Sequence, residues 1–220
     1  MTRWREIRDT LPAEVQLVAV SKYHSAEQIA ETYASGCRDF GESRVQELKL
    51  KQAVLPHDIR WHFIGHLQTN KVRDLLKLRP YLIQSVDSEH LLQAINAEAS
   101  KQGIVQNILL ELHVAAEESK SGMCIEEFKS LVSAVRGQQS TASSPLYPNV
   151  CICGVMGMAT NTDDETEIRR CFRILHEQYI WLNSQLPVAN AQLSMGMSDD
   201  YGLALCEGST MVRIGSAIFD

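Results

Sequence analysis

Short apolar runs recur along this chain, each followed by a segment whose apolar residues return every three or four positions. The runs near Val15–Val20, Cys37–Gly41, Arg60–Gly65, Leu82–Val86, Asn107–His113, Val150–Met156, Ala191–Met195 and Thr210–Ala217 read as buried strands. Between them, Ala26–Ser35, Arg44–Val54, Asn70–Leu78, Glu89–Gln102, Ile125–Arg136, Glu165–Gln185 and Asp199–Cys206 read as helices. In the longest of these, Ile168, Phe172, Leu175, Tyr179 and Leu182 share one face. Ser25 with Gln28, and Ser88 ahead of Leu91, offer N-cap hydroxyls. Gly36 and Gly103 stand where a left-handed residue ends a helix.

Strict alternation of strand and helix implies a parallel sheet with right-handed crossovers. Eight strands in 220 residues suggest a (β/α)8 barrel, an α/β TIM barrel forming one domain over residues 1–220. The eighth outer helix is missing after the last strand, and Arg3–Thr10 is expected to pack in its place. The alternative is an open doubly wound sheet, which lacks a glycine-rich turn after its first strand here. The stretch Gly137–Pro145 reads as a mobile loop.

Composition narrows the classes. A net charge of −6 without a basic stripe argues against nucleic acid as the main partner. No apolar stretch approaches a membrane span and the N-terminus has no apolar leader core, so a cytoplasmic protein is expected. Six cysteines in such a compartment do not imply disulfides. Cys151 and Cys153 point to the same strand face, but lack further ligands at a spacing suited to zinc.

The candidate chemistry gathers at the ends of the first and last strands. Lys22 closes the run from Val15, which places an amine at the mouth of the barrel. Such an amine can attack a carbonyl, although a solvated lysine capping a strand is the plainer alternative. Phosphate sites in barrels favour the loops after strands seven and eight. Those loops here are Leu193–Asp199 and Val212–Ser216, with glycine and serine supplying close backbone N–H groups and hydroxyls. Barrel closure makes strand one the neighbour of strand eight, which brings Lys22 near Arg213, Gly215 and Ser216.

An amine, a guanidinium and a phosphate pocket suit a phosphorylated carbonyl compound, and pyridoxal 5′-phosphate fits well. Its aldehyde would form an imine with Lys22, its phosphate would lie near Ser194, Gly215 and Ser216, and Arg213 would face the ring nitrogen. A permanent cation there disfavours protonation of the ring and weakens it as an electron sink. His62 and His66 share a face if strand three persists, but without a matching carboxylate they read as structural histidines. Glu111, His113 and the segment Glu118–Gly122 are candidates for further polar groups or a flexible lid.

Several blocks carry a resemblance. Ala19–Lys22, Phe40–Ser43, Trp61–Lys71, Ser119–Gly122, Leu193–Asp199 and Gly208–Gly215 resemble, in order, the pyridoxal phosphate homeostasis protein family. The resemblance implies a fold-type III barrel related to the alanine racemase N-terminal domain, carrying pyridoxal phosphate on Lys22. It also implies a role in vitamin B6 and amino-acid or keto-acid balance without established turnover. Family members often have asparagine where Ser43 stands, close to the cofactor, and proline where His66 stands. Many also continue beyond the last strand with a charged tail, whereas this chain ends at Asp220.

Two other functions compete. An alanine-racemase-like isomerase would use the same imine, but expects a second acid–base group brought by a partner subunit and an extra domain. A Schiff-base aldolase would use Lys22 directly on a sugar phosphate. The expected assembly is a monomer, with apoenzymes that accept pyridoxal phosphate, or a regulatory protein, as possible partners.

Overall fold

A computed structural model of the chain describes residues 3–117, 120–141, 146–186, 188 and 191–219. The strands are β1 (Gln16–Val20), β2 (Asp39–Glu42), β3 (Arg60–Phe63), β4 (Leu82–Val86), β5 (Gln106–Leu112), β6 (Val150–Gly157), β7 (Gln192–Ser194) and β8 (Met211–Ile214). They close into a barrel in sequence order. Every pairing is parallel, including the closing pair, in which Leu17 stands beside Val212 and Ala19 beside Ile214. The helices are α1 (Trp4–Thr10), α2 (Ala26–Ala34), α3 (Val45–Gln52), α4 (Val72–Lys77), α5 (Glu89–Lys101), α6 (Ile125–Thr141), α7 (Glu165–Gln185), α8 (Tyr201–Cys206) and α9 (Ser216–Phe219).

Local chemistry explains these elements. Ser25 and Gln28 form a reciprocal capping box on α2, and Ser88 caps α5 by accepting from the Leu91 amide. Gly36, with φ of 111°, turns the chain out of α2 in a backbone region that disfavours other residues. Ile168, Phe172, Leu175 and Leu182 of α7 are buried as their spacing requires. α1 lies against α9, with the Arg3 amide bonded to the Ile218 carbonyl at 3.2 Å and Arg5 to the Ser35 carbonyl at 2.9 Å. A helix does follow β8, contrary to the expectation, but α9 is only four residues long, and α1 packs against it.

The main apolar core lies between barrel and helices, while Val18, Leu82, Leu109, Met156 and Met211 form a smaller cluster inside the barrel. Alternation along the strands turns every second residue inward. Cys151 and Cys153 do share a face, with their sulfurs 3.8 Å apart.

Several boundaries differ from the expectation, and three have a readable cause or consequence. β3 stops at Phe63, because Gly65 presses against the Ser43 backbone so closely that an added Cβ would lie 2.2 Å from its carbonyl oxygen. β8 stops at Ile214 and the chain turns into α9. The helix expected to end at Arg136 runs on to Thr141, so the first half of the expected loop is helical. Glutamine is a good helix former, and a single glycine costs only about 1 kcal/mol in a helix interior. The remainder of that loop, residues 142–145, lies outside the described residues.

Candidate functional site

The turn after β1 delivers Lys22. Ser21, just before it, is fully buried and held from two sides. Its amide donates to the Gly41 carbonyl at 3.0 Å, and its hydroxyl donates to Glu42 Oε1 at 2.6 Å. Lys51 Nζ, reaching in from α3, donates to the same Glu42 oxygen at 2.7 Å and to the Ser21 carbonyl at 2.8 Å. The backbone entering Lys22 is therefore anchored by a buried ion pair. Tyr23 then takes φ of 71°, a conformation that is unusual for a bulky residue. Lys22 is exposed, its Nζ 5.9 Å from the Tyr23 ring centroid, and no described carboxylate lies within 4 Å of it. His24 stacks on Phe219 with centroids 4.3 Å apart, tying this turn to α9.

A cavity of about 530 Å3 opens at this end of the barrel. That is within the roughly 300–1,000 Å3 typical of small-molecule sites. Its walls include Lys22, Tyr23, Ser198, Arg213, Gly215 and Ser216. β8 approaches β1 closely at this point, since a Cβ on Gly215 would lie 3.2 Å from the Val20 carbonyl oxygen. In the loop after β7 the Met197 amide donates to Asp200 Oδ1 at 2.5 Å. Ser198 Oγ joins the two candidate phosphate loops by accepting from the amides of Gly215 at 3.4 Å and Ala217 at 3.5 Å. These bonds are long, so both amides remain available to a stronger acceptor.

Arg213 is buried at the base of this cavity. Nη1 donates to the Ser194 carbonyl at 2.9 Å and its hydroxyl at 2.7 Å, and Nη2 donates to the Gly157 carbonyl at 3.1 Å. Burial lowers its pKa to about 10, against the opposing influence of Glu111 and Asp200, so it remains a cation at neutral pH. Glu111 is also buried, and burial pushes its carboxyl up to about 7, with Asp87 adding to the rise and Arg213 opposing it.

Lys22, Arg213, Gly215 and Ser216 thus meet at one cavity, as barrel closure led us to expect. Ser194 does not line it: its side chain is fully buried between Arg213 and Gln84. Ser43 does not line it either. Ser198, which does, belongs to the same Leu193–Asp199 block and could have been distinguished by the earlier end of β7. The two histidines part: His62 is buried inside the barrel, whereas His66 is exposed and pairs with Asp87. Glu118 and Ser119 lie outside the described residues. Lys120 is tied down, donating to the Ala159 carbonyl at 2.6 Å, while its own carbonyl lies 2.7 Å from His113 Nδ1.

Comparison with known proteins places this architecture. The family model for the alanine racemase N-terminal domain matches residues 1–220. The solved alanine racemase of Streptomyces coelicolor A3(2) superposes with a TM-score of 0.78 at 16% identity, covering 98% of this chain and 56% of that one, a likeness of fold. PipY of Synechococcus elongatus PCC7942, solved with PLP bound, superposes with a TM-score of 0.87 at 34% identity over 99% of this chain and 98% of its own. The protein defined by this fold and site is thus one of the barrels built on the alanine racemase N-terminal domain. The pyridoxal phosphate homeostasis protein of Aquifex aeolicus is 39% identical over 93% of this chain and 86% of its own length. Its Synechocystis counterpart is 35% identical over 98% and 95%. The chain belongs to the pyridoxal phosphate homeostasis protein family. Among the described residues, no helix is long and apolar enough to cross a membrane.

Proposed function

We propose that this chain binds pyridoxal 5′-phosphate as an imine on Lys22. In this reading it holds the cofactor for intracellular vitamin B6 and amino-acid or keto-acid balance, and passes it to apoenzymes without turning over a substrate. The observation that carries the reading is the meeting of Lys22, Arg213 and the two small-residue loops at one cavity. The residues present suit the group. An amine with no described carboxylate within 4 Å faces a pocket that also offers the Ser198 and Ser216 hydroxyls and the amides around Gly215 to a phosphate. Arg213 is left to face the ring nitrogen.

The absence of turnover is argued from Arg213. The bound group is a weaker electron sink when its ring nitrogen is unprotonated, and a cation held beside that nitrogen disfavours the proton. The protein is read as a cytoplasmic monomer.

Visible absorption of the protein mixed with pyridoxal 5′-phosphate tests the reading. Wild type should turn yellow and bleach on borohydride, with the reduced adduct mapping to Lys22 by peptide mass. Lys22→Ala should stay colourless after removal of free cofactor. A wild type that gains neither colour nor adduct would sink the assignment. α-Deuterated alanine incubated with the loaded protein should keep its label, and rapid loss would instead favour the isomerase.

A further inference from the structure

Polar side chains inside a barrel are costly unless each finds a partner. Here they form a continuous line. Arg213 Nη1 donates to Ser194 Oγ at 2.7 Å, and Ser194 Oγ donates to Gln84 Oε1 at 2.7 Å. Gln84 Nε2 donates to His62 Nδ1 at 2.9 Å, which leaves the imidazole proton on Nε2, 3.1 Å from Asp39 Oδ1. Asp39 closes the line, accepting from Gln16 at 2.8 Å and from Arg60 Nε at 2.7 Å. Burial acts to raise the Asp39 carboxyl, but the bonds from His62 and Arg60 outweigh it and keep the group ionised.

The direction of these bonds is uniform. Each group donates toward Asp39, so each has its acceptor lone pairs turned toward Arg213. Asp39 can only accept, and this fixes the His62 tautomer. The tautomer fixes which end of the Gln84 amide faces Ser194, and that end takes the serine proton. Ser194 is then bound to offer Arg213 a lone pair rather than a hydrogen. Ser194, Gln84 and His62 are all fully buried, so no water competes at these links.

We propose that Asp39, His62, Gln84 and Ser194 are positioning residues that orient the Arg213 guanidinium toward the bound ring. This rests on the cofactor reading above. It assigns Ser194 to the support of Arg213 instead of to the phosphate, and gives a use to four interior polar side chains that the cavity itself does not employ.

The test compares pyridoxal 5′-phosphate with its 1-deaza analogue, in which a C–H replaces the ring nitrogen while aldehyde and phosphate are kept. Dissociation constants are measured for wild type, Ser194→Ala and Gln84→Met, with Leu109→Val as a control for interior packing. Wild type should prefer the natural cofactor. Both line variants should weaken that cofactor about 10-fold, the loss of one well-placed hydrogen bond, yet hold the deaza analogue within about twofold of wild type. Leu109→Val should retain the wild-type preference. Equal weakening of both compounds, or unchanged binding of both, would overturn the positioning role and leave the cofactor reading intact. A wild type that binds neither compound would overturn both.

Discussion

Lys51→Met is expected to destabilise the protein by about 3–5 kcal/mol at neutral pH, the usual cost of removing one partner from a buried ion pair. Glu42 is fully buried, and Lys51 is its only cationic partner among the described residues. Its Oε2 already lacks a hydrogen-bond partner, so besides Lys51 only the Ser21 hydroxyl compensates the carboxylate. Without the ammonium, Oε1 would keep only the Ser21 hydroxyl. Burial already raises the Glu42 pKa, with Lys51 and Ser21 opposing the rise, and removal of Lys51 must raise it further.

The sign of the pH dependence follows. A carboxyl whose folded pKa exceeds its unfolded value loses stability as pH rises through that window. The penalty of Lys51→Met should therefore shrink as pH falls toward the unfolded carboxylate range. Urea unfolding at pH 5 and pH 8 checks this, and Glu42→Leu combined with Lys51→Met should recover most of the loss. A penalty independent of pH would mean that lost packing, not the stranded charge, is responsible. Because Lys51 also holds the Ser21 carbonyl, the single variant should loosen the turn that carries Lys22.

Much of this architecture was legible because it depends on local rules. Apolar runs and three-to-four spacing located all eight strands and the outer helices, and closure alone brought Lys22 beside Arg213 across most of the chain length. What escaped depends on contacts between distant strands. Gln84 and Ser85 interrupt the strand Leu82-Ile83-Gln84-Ser85-Val86, and a buried glutamine there signals an interior network without naming its partners. Ser194 and Ser198 are indistinguishable by composition, and their roles separate only where β7 ends. Lys51 shares the helix face of Val45 and Leu48 by its three-residue spacing, but a lysine there reads as an exposed residue until its buried partner Glu42 is known. His62 and His66 looked like a pair only while β3 was read as continuing past Phe63.

Glu111→Gln should remove a loss of stability that the wild-type protein, free of cofactor, undergoes between about pH 4.5 and 7. The native carboxyl keeps its proton up to about pH 7, whereas the unfolded one releases it near its ordinary value of 4.5. Across that window the native state binds more protons than the unfolded state, so stability falls with rising pH. A shift of this size corresponds to roughly 3 kcal/mol at most, at 1.36 kcal/mol per pH unit. Burial dominates the shift, and the attraction of Arg213 only partly offsets it. The substituted amide is neutral at every pH, so the curve of unfolding free energy against pH should flatten in this window while other carboxyls keep their own contributions. The variant should match wild type near pH 5 and exceed it at pH 8. An unaltered slope would show that Glu111 titrates as a solvated carboxyl, and would place the charge balance around Arg213 on Asp200 instead.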